Sequence, residues 1–165
     1  QGVLNAREIA LASPRLVAMS FGDEDFTNSI QSERTSHGHE LLLARAAVVL
    51  AARAAGIDPI DTVYSQVDDD AGFRADVHAA KQMGFAGKSC VHPRQIAVVH
   101  DVFSPTAEEV MKAERVLAAF ADALQQGSGV IAVDGKMVDG PIVAKAQRIV
   151  SLAKASESSL EGRVR

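Results

Sequence analysis

Arg15-Leu16-Val17-Ala18-Met19-Ser20-Phe21-Gly22-Asp23-Glu24-Asp25-Phe26 is an apolar run that breaks at a glycine into three consecutive carboxylates. The run is bounded by Pro14 and Gly22 and has apolar residues on both faces, which predicts a strand of a parallel sheet covered on both sides. In α/β folds the loops at the carboxyl ends of strands hold ligands and metals, so acids placed there face substrate. The competing reading of the same three acids is a solvated turn that starts a helix, because negative charge is favoured at a helix N-terminus.

Outward from this stretch, strands and helices alternate. Before it, Gln1 to Ala12 carries a short helical pattern with Asn5 as N-cap and Ile9 and Leu11 as its apolar residues. After it comes a polar loop, Thr27 to Glu40, and then a strongly apolar helix, Leu41 to Ala55, closed by Gly56. Ile60 to Val67 is rich in β-branched residues and reads as the second strand. Asp68, Asp69 and Asp70 introduce a helix from Ala71 to Met83, and Gly84 ends it. Gly87 to Val91 is the third strand, and His92-Pro93-Arg94-Gln95 opens a helix at a position where the missing N–H of proline costs nothing. Short turns between these elements argue for parallel βαβ units and an α/β fold. Common sheets have about four to six strands, so three parallel strands read as part of a larger sheet.

From residue 104 the pattern changes. Thr106-Ala107-Glu108-Glu109 is a capping box before a long helix reaching about Gln126. Gly127 to Gly129 ends that helix. Val130 to Val133 and Lys136 to Val138 flank Asp134-Gly135, a two-residue hairpin signal. Pro141 starts a last helix to about Lys154, and the serine-rich residues 155–165 read as a frayed tail. The expected division is therefore residues 1–103, 104–154 and 155–165.

Composition narrows the class of function. The chain has 165 residues, 47% of them hydrophobic, which suffices for a core. A formal net charge of −4 with dispersed basic residues gives no footprint for nucleic acid or an anionic membrane. The single cysteine, Cys90, excludes an internal disulfide and suits the reducing cytoplasm. No apolar stretch approaches the roughly 20 residues needed to span a bilayer. Small molecules and other protein chains are the expected partners.

Several stretches carry groups suited to chemistry. Gly84 to Gln95 contains G-K-S, yet it is not a phosphate-binding P-loop: Gln82 stands where the first glycine belongs, and the motif leads into a strand. Lys88, His92 and Arg94 put three nitrogen bases around one strand end, which suits a carboxylate or phosphate; a solvated lysine and a packed His-Pro turn are the plainer reading. His37-Gly38-His39 lacks a third ligand at metal-site spacing. Cys90 reads as a small buried hydrophobe, Asp68 to Asp70 as a helix-start cluster, and Asp139 as either a functional acid or an N-terminal charge on the helix led by Pro141.

Phe21-Gly22-Asp23-Glu24-Asp25-Phe26, the G-K-x-x-V-H-P-x-Q core within Gly84 to Gln95, and Asp134-Gly135-Lys136-Met137-Val138-Asp139 together resemble the citrate lyase β-subunit-like family of the HpcH/HpaI aldolase superfamily. The resemblance runs in order from Gly2 to about Ala153. It implies a (β/α)8 TIM barrel with a helical C-terminal extension, of which this chain carries the last three strands, assembled as a homotrimer or hexamer. It also implies that an arginine which holds substrate and a metal-binding glutamate lie before Gln1 in the family pattern. Asp25 matches the aspartate of F-G-x-x-D that binds magnesium, whereas Asp23 and Glu24 match no ligand. Val91, His92 and Pro93 match the segment lining the coenzyme A site, and Asp139 matches an acid/base that reaches a neighbouring subunit's site. The implied reaction is Mg2+-dependent cleavage of a 3-hydroxyacyl-CoA, of citramalyl, citryl or malyl type, to acetyl-CoA and an oxo-acid. The alternative is a non-catalytic CoA-binding or oligomerisation fragment of such a lyase.

Overall fold

The computed structural model describes residues 1–161 apart from Ser36, Gln126, Ser128 and Val130. It divides into two compact units, Gln1–Phe103 and a second beginning at Ser104. The first contains α1 (Ala6–Ala10), β1 (Ala18–Ser20), α2 (Asp23–Ser29), a 3-10 turn (His39–Leu41), α3 (Leu42–Ala54), β2 (Asp58–Asp61), α4 (Asp70–Met83), β3 (Gly87–Lys88) and α5 (Arg94–Phe103). Its strands form one parallel sheet in the order β1-β2-β3, with Ala18 opposite Asp58 and Ile60 opposite Gly87. The parallel α/β architecture is the one the alternating pattern predicts.

Local sequence sets where each strand begins. At the end of α3, Gly56 adopts φ +73°, and the N–H groups of Gly56 and Ile57 return to the carbonyls of Arg53 and Ala52. At the end of α4, Gly84 adopts φ +99°, and Gly84 and Phe85 bond back to Lys81 and Ala80. Both are Schellman caps, in which glycine takes the left-handed position and the next residue turns inward. Ile57 and Phe85 are accordingly buried and deliver the chain into β2 and β3. Phe85 joins Phe21, Leu41, Ala44, Val48, Val49 and Ala80 in one apolar cluster between the sheet and α3.

The strands differ from expectation in extent and cover. The β2 ladder ends at Asp61 rather than Val67, because the next backbone and side-chain groups are bound elsewhere: the Thr62 hydroxyl to Asp23 and the Tyr64 carbonyl to Gln95. The β3 ladder ends at Lys88 rather than Val91, whose N–H is taken by the Gln95 side chain. Strand β1 is not covered on both faces. Ala18 and Met19 are half-buried and Ser20 is exposed, because α3 packs on one face and, among the described residues of this unit, no helix covers the other. Residues 23–29 form helix α2 where the polar loop was expected to begin, so all three acids stand in its first turn. In α1, Asn5 occupies the N-cap position without a side-chain bond, and Ile9 and Leu11 are exposed; the buried face is Ala6 and Ala10, small enough for close approach to α3.

The second unit contains α6 (Ala107–Gln125), the hairpin β4 (Ile131–Val133) and β5 (Lys136–Val138), and α7 (Gly140–Glu161). The capping box is made in both directions, Thr106 N–H to Glu109 Oε2 at 2.8 Å and Glu109 N–H to Thr106 Oγ1 at 3.2 Å. Asp134 and Gly135 have φ of +49° and +72°, as a type I′ hairpin turn requires. Ala113 and Val116 of α6 pack with Val138, Val143 and Ala146. Helix α7 continues past Lys154 to Glu161. Gln126, Val130 and residues 162–165 of the expected elements lie outside the described residues. Among the described residues, no helix is long and apolar enough to cross a membrane.

Candidate active site

The carboxyl ends of β1 and β2 open onto a cleft of about 550 Å³, lined in part by Asp23, Arg34, Arg45, Tyr64, Asp69 and Asp76. Asp23 is its buried anchor. It stands three residues past β1, and its carboxylate accepts from the hydroxyl of Thr62, the residue after β2, and from Arg34 Nε–H at 2.8 Å. Burial works against the charged form, but the bonds from Thr62 and Arg34 outweigh it and hold the Asp23 carboxyl below the usual carboxylate range. Arg34 also reaches Glu40 Oε1 at 3.3 Å, and Glu40 accepts from Thr35 N–H and Oγ–H. Against the opposing effect of burial, these bonds bring the Glu40 carboxyl down to about 2.

A cluster of four charges reaches the cleft through Arg45 and Asp76. Asp61, fully buried at the end of β2, accepts from Arg45 Nε at 3.0 Å and Nη2 at 2.6 Å, and from Lys88 Nζ at 2.9 Å. Lys88 also meets Asp76 of α4 at 2.5 Å, and Arg45 approaches the same acid at 3.6 Å. Two cations and two anions cancel, which is the condition for holding charges out of water. Sequence reasoning missed this cluster. Its signal was Arg45, a cation inside the apolar run of α3, and Asp61, an acid within a β-branched run.

The loop after β2 is clasped to the start of α4. Tyr64 donates its hydroxyl to Asp69 Oδ2 at 2.6 Å, and Asp69, as N-cap of α4, accepts from Gly72 N–H at 2.9 Å. The bond to Asp69 is the main cause that pushes the Tyr64 phenol up to about 12. The same bond, with that from Gly72, lowers the Asp69 carboxyl. A Cβ on Gly72 would collide with both Asp69 Oδ2 and the Tyr64 hydroxyl, so any larger residue here must push the clasp aside.

The predicted site residues fall in distinct places. Asp25 stands exposed in the first turn of α2, beyond the carboxyl end of β1; among the described residues nothing donates to its carboxylate. Val91, His92 and Pro93 form an exposed turn beyond the carboxyl end of β3, on the same end of the parallel sheet. Asp139 is half-buried before α7, where its carbonyl accepts from Val143 N–H at 3.0 Å and its Oδ1 lies 3.5 Å from Ile142 N. Asp25 and Asp139 belong to different units. The three nitrogen bases expected around one strand end do not converge: Lys88 is consumed by Asp61 and Asp76, and exposed Arg94 pairs with Asp68 at 2.9 Å. The rings of His37 and His39 stack with centroids 5.9 Å apart. Among the described residues no three metal-ligating side chains cluster. Burial, only partly opposed by Lys88, pushes the Cys90 thiol up, which disfavours a nucleophilic thiolate. Of the acids 68–70, Asp69 caps α4 and Asp70 lies in its first turn, as a helix-start cluster should.

Comparison with known proteins agrees with the motif pattern. Citrate lyase subunit beta of Leuconostoc mesenteroides subsp. cremoris is 46% identical over 155 residues, covering 94% of this chain and 51% of the relative. The mitochondrial citramalyl-CoA lyase of Rattus norvegicus is 41% identical over 138 residues, covering 84% of this chain and 41% of that protein. The chain thus spans about half the length of these curated relatives. Among solved structures, protein CitE from Mycobacterium tuberculosis in complex with magnesium, acetoacetate and coenzyme A superposes with a TM-score of 0.78 at 32% identity, over 93% of this chain and 57% of that one. The profile of the HpcH/HpaI aldolase/citrate lyase family matches residues 1–93, and the chain belongs to that family.

Proposed function

We propose that this chain supplies part of the active site of a magnesium-dependent acyl-CoA lyase of the cytoplasm, one that cleaves a carbon–carbon bond of a 3-hydroxyacyl-CoA to acetyl-CoA and an oxo-acid. The carrying observation is that Asp25, in the first turn of α2, and the Val91-His92-Pro93 turn lie at the same end of one parallel sheet. In support, a solved relative is a complex with magnesium and coenzyme A, and another relative is a citramalyl-CoA lyase. On this reading the three strands are the last three of a (β/α)8 barrel, the second unit is its C-terminal extension and oligomer interface, and the assembly is a homotrimer or hexamer.

The donor chemistry of Asp25 fits Mg2+, a hard cation held by one or two carboxylates with water in its remaining positions. Asp25 is an exposed carboxylate that the fold leaves uncommitted, whereas Asp23, two residues earlier, has its oxygens bound by Thr62 and Arg34. Asp25 would hold the ion, which when bound polarises substrate oxygen atoms. The remaining work falls to the chain's own groups. Val91, His92 and Pro93 bind coenzyme A. Asp139, set over a neighbouring subunit's site, gives its proton to the α-carbon of the departing acetyl-CoA carbanion, which thereby becomes the methyl group.

The test is product analysis with the full-length protein that carries this chain. Citramalyl-, citryl- and malyl-CoA are each incubated with and without chelator. Acetyl-CoA and the matching oxo-acid should form from at least one thioester, and the chelator should abolish their formation. Coenzyme A binding without cleavage of any of the three would instead favour a CoA-binding or assembly module.

A further inference from the structure

Gln95 has no task in that reading, yet it is 4% exposed beneath a turn whose own residues, Val91 to Arg94, are all exposed. Its amide meets opposite demands at its two ends. Val91 N–H and His92 N–H can only donate and lie 2.9 and 3.4 Å from Oε1; the Tyr64 carbonyl can only accept and lies 2.9 Å from Nε2. Glutamate could serve the first end but would set a carboxylate against the Tyr64 carbonyl. An aliphatic side chain would serve neither. Asparagine is one methylene too short to span both.

This bridge has a consequence for the exposed side of the turn. The peptide N–H groups of Val91 and His92 are drawn inward, so the turn faces solvent with its side chains. His92 Nδ1 accepts from Arg94 N–H at 3.2 Å, which leaves the proton of the neutral imidazole on Nε2. Arg94 continues to the Val67 carbonyl at 3.3 Å and to Asp68 at 2.9 Å. The loops after β2 and β3 are therefore joined at two points, one buried and one exposed. What the turn presents is an N–H donor, His92 Nε2, beside the apolar surfaces of Val91 and Pro93. That pairing suits a ligand that combines phosphate oxygens with aliphatic stretches.

We propose that Gln95 is a positioning residue for coenzyme A, holding the Val91-His92-Pro93 turn against the loop after β2 so that His92 Nε2–H and Val91 meet the ligand. The inference rests on the reading that this turn lines the coenzyme A site. The ligand never touches Gln95.

The experiment uses the full-length protein with Gln95→Asn, Gln95→Met and Val91→Asp, read by calorimetric titration with coenzyme A and by the thermal midpoint. Loss of the bridge should weaken coenzyme A about tenfold, as expected for a hydrogen-bonding arrangement set loose. Mg2+ affinity should be unchanged, and KM for acyl-CoA should rise without a matching fall in kcat. A fall in thermal midpoint with coenzyme A affinity unchanged in the Gln95 variants, while Val91→Asp weakens it, would overturn the positioning role and leave Gln95 as a structural tie. Unchanged affinity in Val91→Asp as well would overturn the reading of the turn itself, and this inference with it. If Gln95→Met does not fold, Gln95→Asn decides, since it keeps an amide in the same cavity.

Discussion

Lys88 Nζ lies 2.9 Å from Asp61 Oδ2, with neither side chain exposed to solvent. Each strand-end charge is thus the other's counter-ion, and Arg45 and Asp76 complete a neutral set. Removing one partner leaves a buried charge uncompensated, which typically costs about 3–5 kcal/mol, whereas an exposed pair contributes about 0–1 kcal/mol. Lys88→Met should therefore lower the unfolding free energy of the full-length protein by about 3 kcal/mol in urea titrations. Arg94→Met, which breaks a pair whose acid is 96% exposed, should lower it by less than about 1 kcal/mol. Equal losses would show that Lys88 is not stabilised as an ion pair.

Gly72 lies under the Tyr64–Asp69 clasp, with no room for a Cβ. Gly72→Ala should part the clasp and weaken the cap on α4, at a cost of about 1–2 kcal/mol. The clasp also predicts an alkaline limb. The folded phenol titrates near 12 and the unfolded one near 10, so the folded state retains a proton the unfolded state has lost between these values. Stability should fall as pH rises through that window. In Gly72→Ala the NMR titration of the Tyr64 ring should move back toward its ordinary value; a midpoint still near 12 would show that Asp69 is not the cause.

What was legible in the sequence was what short range decides. Gly56, Gly84, Thr106 with Glu109, and Asp134-Gly135 are local devices, and each ends or begins an element where the pattern placed it. The strand ends were not legible, because they depend on partners far along the chain. Thr62 is bound by Asp23, 39 residues away, and the β3 turn is tied to Tyr64 through Gln95, 31 residues away. β-branched residues from Thr62 to Val67 look like a strand until their backbone is claimed by another loop. The candidate site follows the same division. The acids after Gly22 announced a strand-end feature, but which of them the fold would commit was set by Arg34 and Thr62.

Asp23 and Asp25 should therefore separate cleanly. Asp25→Asn in the full-length protein should weaken Mg2+ binding, measured by calorimetry, with little change in thermal midpoint. Asp23→Asn should do the reverse, since it breaks the tie between Arg34 and Thr62. Equal losses of metal affinity in the two variants would refute the assignment of Asp25.

The same network predicts an acid limb. The Asp23 and Glu40 carboxyls are both held below their ordinary values, Glu40 at about 2. The stability they contribute is complete above the unfolded carboxylate range and is lost as pH falls through the folded values. Arg34→Met should flatten this acid dependence, because it removes a partner common to both acids. An unchanged acid limb in unfolding measurements on Arg34→Met would show that Arg34 does not control it.

Asp139 tests whether activity needs two subunits. It stands at a fixed corner: the Asp134-Gly135 turn sets the hairpin, and α7 begins at Gly140 with the Asp139 carbonyl accepting from Val143 N–H. Among the described residues its side chain makes only a 3.5 Å approach to Ile142 N, so the cap engages one oxygen weakly. Asparagine caps a helix about as well as aspartate, so Asp139→Asn should keep the thermal midpoint while removing the proton donor. Loss of a catalytic acid costs about 10²- to 10⁴-fold, which separates it from any capping effect. If the acid acts on a neighbour's site, Asp139→Asn and Asp25→Ala assemblies should each be inactive alone. Mixed after dissociation, they should regain part of the activity, since some sites would join an intact Asp25 to an intact Asp139 from the adjacent chain. Mixed oligomers that form and remain inactive would show that Asp139 does not work in trans. Full activity in Asp139→Asn would reduce it to the cap of a helix.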